Sequence, residues 1–222
     1  MRASATDGTA IRRRARAARL FGLYAVTPDT ADTASLVASV RAAIAGGAAA
    51  VQYRNKTAER DVRRAQAAAL ARVHAIHGAL YIVNDDAALA AEMDADGVHI
   101  GGADGDVAAA RAHVGPDRII GVSCYDDFAR AEAAVAAGAD YVAFGSFFES
   151  AVKPEACRAD LALLERARAL PVPVVAIGGV DAANANSLRV AGADAVAVIS
   201  ALFAAPDVES AARAIARIYE PL

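Results

Sequence analysis

Eight short runs rich in β-branched and apolar residues recur along this chain, and alanine-rich stretches lie between them. The runs cover residues 22–27, 49–54, 80–85, 97–101, 119–124, 141–146, 173–179 and 195–200. Helical spacing of apolar residues fills 33–45, 59–76, 127–137 and 161–169. Many of the helical stretches stop at a glycine, as in Gly46-Gly47-Ala48, Gly138-Ala139-Asp140 and Gly192-Ala193-Asp194, where glycine permits the left-handed turn that ends a helix. Strands that alternate with helices imply parallel pairing through crossovers. Strands that are apolar almost throughout imply burial on both faces. Eight such units predict an α/β chain folded as a single (β/α)₈ TIM barrel; a doubly wound open sheet is the alternative.

Bulk properties agree with one large domain. The chain has 222 residues, 56% of them hydrophobic and 22% charged, enough for a sizeable core and too apolar for global disorder. No linker or shift in composition divides residues 21–222, so these read as the barrel. Residues 1–20, with Arg12, Arg13, Arg14, Arg16 and Arg19, read as a basic extension that is flexible and solvated or frayed. A transit peptide is the alternative, and a signal peptide is excluded because no apolar run follows the arginines directly. The net charge of -3 offers no electrostatic footprint for nucleic acid. No uninterrupted apolar run is long enough for a membrane span. Two cysteines, Cys124 and Cys157, suit a reducing cytoplasm rather than a disulfide framework. The sequence leaves a homo-oligomer open.

The stretch "VQYRNK" carries the first chemical signal. An apolar strand delivers Gln52, Arg54 and Lys56 to its tip, and alternation along an extended segment points all three the same way. Barrel enzymes place their chemistry on the loops that follow the strands, and here each strand end from the second onward bears charge, hydroxyl or glycine. The third ends in Asn84, Asp85 and Asp86. The fourth leads to Asp104 and the fifth ends at Ser123. The sixth runs through Ser146 and Ser150 to Lys153, the seventh ends at Gly178-Gly179 and the eighth at Ser200.

Asp85 and Asp104 are hard oxygen donors of the kind that share Mg²⁺ with phosphate oxygens and water, although an aspartate after a strand also caps helices; Asp86 reads as such a cap. Arg54, Lys56 and Lys153 offer charge and N–H donors to phosphate, or could pair with neighbouring aspartates. Asn84 could add an amide donor. Gly178-Gly179 and Ile199-Ser200 stand where barrels often hold a monophosphate on backbone N–H groups, or form ordinary turns. His74 and His77 read as exposed helix residues, His99 as a satisfied barrel residue, and Cys124 as facing away from Ser123. Together these signals describe two anionic sites, one with a divalent cation.

From Gly22 to Ser200, the ordered series "VQYRNK", "VNDD", "GVHIGGAD", "GVSC", "FGSFFESAVK", "AIGGV" and "AVIS" resembles the thiamine-phosphate synthase family. The resemblance implies a magnesium-dependent transferase that joins an aminopyrimidine methyl diphosphate to a hydroxyethylthiazole phosphate, with release of pyrophosphate. It implies that Gln52, Arg54, Lys56, Asn84, Ser123 and Lys153 hold the pyrimidine diphosphate. Arg54, Lys56, Ser123 and Lys153 would carry the catalysis, and Asp85 and Asp104 would hold Mg²⁺. Ser150, Val152, Gly179, Ile199 and Ser200 would line the thiazole phosphate site. The chain departs from the family at Gly102, where glutamine is usual, at Val152, where a threonine is usual, and at Ser146, where proline is frequent. A thiazole-isomerising relative and a phosphate-binding barrel without turnover are the rival readings.

Overall fold

A computed structural model describes residues 5–101, 106–149 and 159–220. The first four strands are β1 (Gly22–Val26), β2 (Ala50–Tyr53), β3 (Leu80–Asn84) and β4 (Gly97–Ile100). The last four are β5 (Ile119–Tyr125), β6 (Tyr141–Phe144), β7 (Val174–Ile177) and β8 (Ala195–Val198). Each pairs in parallel with the next, and β8 pairs with β1, so the eight strands close into a barrel. The open-sheet alternative is thereby excluded.

Alternation along the strands sorts side chains into two packed layers. Leu23, Ala25, Val51, Tyr53, Val83, Val98, Ile120, Val142 and Val196 face outward, into one continuous core beneath the helices. Tyr24, Val26, Ala50, Ile82, Ile119, Tyr141, Val175, Ala195 and Ala197 fill the barrel interior. Hydrophobic burial on both faces explains why the strands are apolar almost throughout.

The helices form the outer ring: α2 (Thr33–Ala45), α3 (Arg60–His77), α4 (Ala87–Glu92), α5 (Val107–Val114), α6 (Phe128–Ala136), α7 (Leu161–Ala167), α8 (Ala185–Ala191), α9 (Ser200–Phe203) and α10 (Val208–Ala216). Aspartate starts many of them. Asp32, Asp86, Asp106, Asp127, Asp160 and Asp207 each accept a backbone N–H from the first turn of the helix they precede, satisfying donors that have no partner within the helix. A different set of aspartates works at the opposite rim. Asp96, Asp140 and Asp194 sit just before β4, β6 and β8, and accept the backbone N–H of Tyr81, Ile120 and Val174 on the preceding strands.

The N-terminal extension departs from expectation. Residues Ala5–Ala17 form a helix, α1, docked at the rim where the strands begin. Arg13 and Arg111 both reach the buried carboxylate of Asp140 at 2.6 Å, and Arg16 lies 3.2 Å from Asp96. Ala17 and Leu20, 3% and 1% exposed, join the barrel-interior layer and close its lower end. Ion pairs and an apolar plug order this basic segment, where the arginines alone suggested a frayed one. No described helix is long and apolar enough to cross a membrane.

Candidate active site

The "VQYRNK" stretch unfolds side by side at the C-terminal rim. Gln52 points into the barrel and is 5% exposed. Tyr53 points outward, where its hydroxyl donates to Gln66 Oε1 at 2.9 Å, and burial pushes its own pKa up to about 12. Asn55 also turns outward and donates to Gln66 Oε1 and to the Thr30 carbonyl. Gln66 itself is fully buried and donates to the same carbonyl. These amides fasten the loop after β2 to α3 and to the loop after β1. The Thr27 hydroxyl bonds both the N–H and the carbonyl of Arg54 at 2.8 Å. With the intervening residues held outward, Arg54 and Lys56 are left on the rim.

Both cations meet a carboxylate. Arg54 Nη1 lies 3.1 Å from Asp29 Oδ1, and Lys56 Nζ lies 3.3 Å from Asp85 Oδ2. Asp29 Oδ1 also accepts the Lys56 backbone N–H at 2.7 Å. The pairing with aspartates and the role toward phosphate are compatible. Arg54 has five N–H donors and lysine three, so each pair leaves donors over. The Lys56 side chain is 55% exposed, placing a compact charge where a ligand can meet it.

On β3 the two adjacent aspartates divide. Asp86 accepts the Leu89 N–H at 2.8 Å and caps α4, as its sequence position suggests. Asp85 caps nothing. It adopts a left-handed backbone, φ 62, and its Oδ2 receives the Asn84 amide at 2.6 Å beside Lys56. Asn84 therefore donates to a carboxylate in this structure, where the sequence suggested phosphate. A cavity of about 210 Å³ opens here, lined by Lys56, Arg63, Asn84 and Asp85 among others. A hard oxygen donor free of any helix-capping duty, at the edge of such a cavity, fits a role as a magnesium ligand. Its expected partner Asp104 lies outside the described residues, as do Gly102, Ser150, Val152, Lys153 and Cys157.

Ser123 on β5 faces the barrel interior, its Oγ 2.9 Å from His99 Nε2. Its neighbour Cys124 faces outward and is buried, and burial pushes the thiol up to about 12, which leaves it unreactive. Further round the rim, β7 and β8 run in register Ile177↔Ala197, so the chain leaves both strands side by side before Gly179 and Ile199. Gly178 and Gly179 have φ of 104 and 64, and a Cβ at Gly179 would stand 2.2 Å from the Glu149 carbonyl. Only glycine fits there. Ser200 is exposed and begins α9, a helix of four residues.

This fold and this sequence have known counterparts. Residues 23–202 match the family described as "Thiamine monophosphate synthase". The thiamine-phosphate synthase of Chromobacterium violaceum is 56% identical over 198 residues, 89% of this chain and 96% of that protein.

The chain belongs to the thiamine monophosphate synthase family.

The thiamine-phosphate synthase of Methylobacillus flagellatus, 53% identical over 89% of this chain and 95% of its own, agrees. Among solved structures, thiamine phosphate pyrophosphorylase from Pyrococcus furiosus superposes with a TM-score of 0.80 at 33% identity, covering 94% of this chain and 97% of that one. Family membership agrees with the closed eight-stranded barrel.

Sequence reasoning overlooked several residues of this site. Asp29, Thr27 and Asn55 set the loop that bears the cations, and the polar "TPD" that follows β1 was the available signal. His99 is a satisfied barrel residue, as read; its partners include Ser123 and Tyr141, and nothing local in the sequence reveals these two. His74 is a correction: it is 6% exposed rather than solvent-facing, because α3 turns it onto the Tyr81 ring, 4.8 Å between centroids. His77 is exposed.

Proposed function

We propose that this chain is a thiamine-phosphate synthase, joining an aminopyrimidine methyl diphosphate to a hydroxyethylthiazole phosphate and releasing pyrophosphate. The observation that carries the reading is the grouping of Arg54, Lys56, Asn84 and Asp85 on the adjoining rims of β2 and β3, in a chain so similar to proteins of that name. A thiazole-isomerising barrel would have no use for such a diphosphate set.

Arg54 and Lys56, with Lys153, hold the diphosphate, and Gln52 and Ser123 hold the pyrimidine from inside the barrel. Asp85 and Asp104 are the residues that would hold Mg²⁺, which when bound adds positive charge beside the leaving group. The bond from the methylene carbon to oxygen breaks heterolytically, and its electron pair departs with pyrophosphate. Donation from the amino-substituted ring stabilises the resulting cation, and the thiazole nitrogen supplies the pair for the new C–N bond. The protein's part is charge stabilisation and orientation, so no side-chain nucleophile is required. Gly179, Ile199 and Ser200, with Ser150 and Val152, line the thiazole phosphate site. Soluble phosphorylated substrates and a buried, unreactive Cys124 suit a reducing cytoplasm.

The test is direct. Purified protein with both heterocycles and Mg²⁺ should release thiamine phosphate and pyrophosphate in equal amounts. Absence of both products under those conditions overturns the assignment.

A further inference from the structure

Five polar side chains inside the barrel are joined in one chain of hydrogen bonds. Gln52 Nε2 donates to the Tyr24 hydroxyl at 2.8 Å, and the Tyr24 and Tyr141 hydroxyls lie 2.9 Å apart. The Tyr141 hydroxyl is 3.0 Å from His99 Nδ1, and His99 Nε2 is 2.9 Å from Ser123 Oγ. The chain runs from β2 through β1, β6 and β4 to β5, and ends on two residues of the proposed substrate site.

The order of donors in this chain follows from chemistry. An amide nitrogen can only donate, so the Tyr24 oxygen accepts from Gln52. The Tyr24 proton then needs an acceptor, and Tyr141 is the one beside it. Both tyrosines are essentially inaccessible to water, 1% and 0% exposed, and a buried hydroxyl proton without an acceptor is strongly disfavoured. Burial also holds both phenols well above their ordinary pKa, so they keep their protons. Tyr24 therefore donates to Tyr141, Tyr141 donates to His99 Nδ1, and His99 donates from Nε2 to Ser123. Among the described residues, the Ser123 proton remains for a ligand, as does the Gln52 carbonyl oxygen at the other end. The sequence makes room for this arrangement: a Cβ at Gly121 would stand 1.9 Å from Tyr141 Cζ, so only glycine on β5 lets the Tyr141 ring lie across the barrel.

We propose that Tyr24, Tyr141 and His99 are positioning residues whose ordered hydrogen bonds fix the polarity of the barrel floor, with an acceptor at Gln52 on β2 and a donor at Ser123 on β5. Such a floor suits a flat heterocycle that carries an amino N–H and a ring-nitrogen acceptor, and it disfavours one with the reverse pattern. The identity of that heterocycle rests on the proposed function; the order of the chain does not.

Two measurements test it. In full-length protein labelled with ¹⁵N-histidine, the His99 ring should carry its proton on Nε2 and leave Nδ1 as the acceptor. A proton on Nδ1 at neutral pH overturns the proposed order, whatever the enzyme's activity. In coupling assays, Tyr141→Phe should lower kcat/KM for the pyrimidine substrate by about tenfold, the scale of one lost buried hydrogen bond, and leave KM for the thiazole phosphate unmoved. Tyr81→Phe is the control, because its buried hydroxyl donates to the Ala67 carbonyl outside the barrel. If the two variants show the same kinetics, the chain is structural only and the proposal fails. Wild-type protein without coupling activity would instead defeat the functional reading, and the tautomer would still decide the order.

Discussion

Asp29 holds Arg54 in place: its Oδ1 lies 3.1 Å from Arg54 Nη1, and the same oxygen accepts the Lys56 backbone N–H at 2.7 Å. One carboxylate after β1 thus holds the Arg54 side chain and the Lys56 backbone of the loop after β2 before any ligand arrives. Ordering a long side chain at the moment of binding costs about 0.5–1.5 kcal/mol, so Asp29→Ala should raise KM for the diphosphate substrate by up to about tenfold. Asp29→Asn keeps an acceptor oxygen and should recover much of the loss. Steady-state kinetics on both variants are the check, and an unchanged KM in Asp29→Ala would show that Arg54 is ordered by other contacts.

Arg54→Ala and Asp85→Ala should each lower kcat/KM by roughly a hundredfold or more, about 3 kcal/mol of lost charge stabilisation. Circular dichroism should be unchanged, because both side chains lie on the rim and neither belongs to the packed core. Asp85→Asn should in addition raise the Mg²⁺ concentration needed for half-maximal rate. Near-native turnover at saturating Mg²⁺ in either alanine variant would remove these residues from the site.

The barrel was legible because its strands are short apolar runs, buried on two faces and punctuated by glycine and aspartate. The runs overshoot the paired strands at the rim, and Thr27 and Arg54 show why. Pairing gives way there to a side-chain contact, with the Thr27 hydroxyl bonding the Arg54 backbone. The rim residues were legible for the same reason, since alternation places Gln52 inward and Tyr53 outward without knowledge of any partner. What the sequence concealed are the partners distant along the chain. Arg13 reads as a solvated charge until Asp140 is brought to it, 127 positions away. His99 reads as a satisfied barrel residue, but which groups satisfy it stays hidden until β5 and β6 bring Ser123 and Tyr141 alongside.

The ordered α1 segment carries a stability prediction. Leu20 is 1% exposed and packs within the barrel-interior layer, so Leu20→Ala should cost about 2–4 kcal/mol through lost burial and the cavity left behind. Chemical denaturation measures it. A cost under about 0.5 kcal/mol, the scale of a surface substitution, would mean that the lower end of the barrel is closed without this segment.

His74 makes acid stability testable. Burial lowers its pKa below the ordinary value, with the Ala79 carbonyl at 3.1 Å and the nearby Asp96 opposing weakly. The hydrogen bond to Ala79 takes the Nδ1 proton, while Nε2 is buried without a partner; a proton added there would have no acceptor. The unfolded chain, with His74 near pH 6.5, therefore binds this proton more readily than the folded one. The sign follows: the contribution of neutral His74 is fully present above about pH 6.5, and is lost as the pH falls from there toward the lower folded pKa. The loss cannot be steeper than about 1.4 kcal/mol per pH unit for a single proton. His74→Phe keeps a ring to stack on Tyr81 and should flatten that part of the profile. Urea unfolding at intervals between pH 5 and 8 distinguishes the two proteins, and identical slopes would show that protonation of His74 does not limit acid stability.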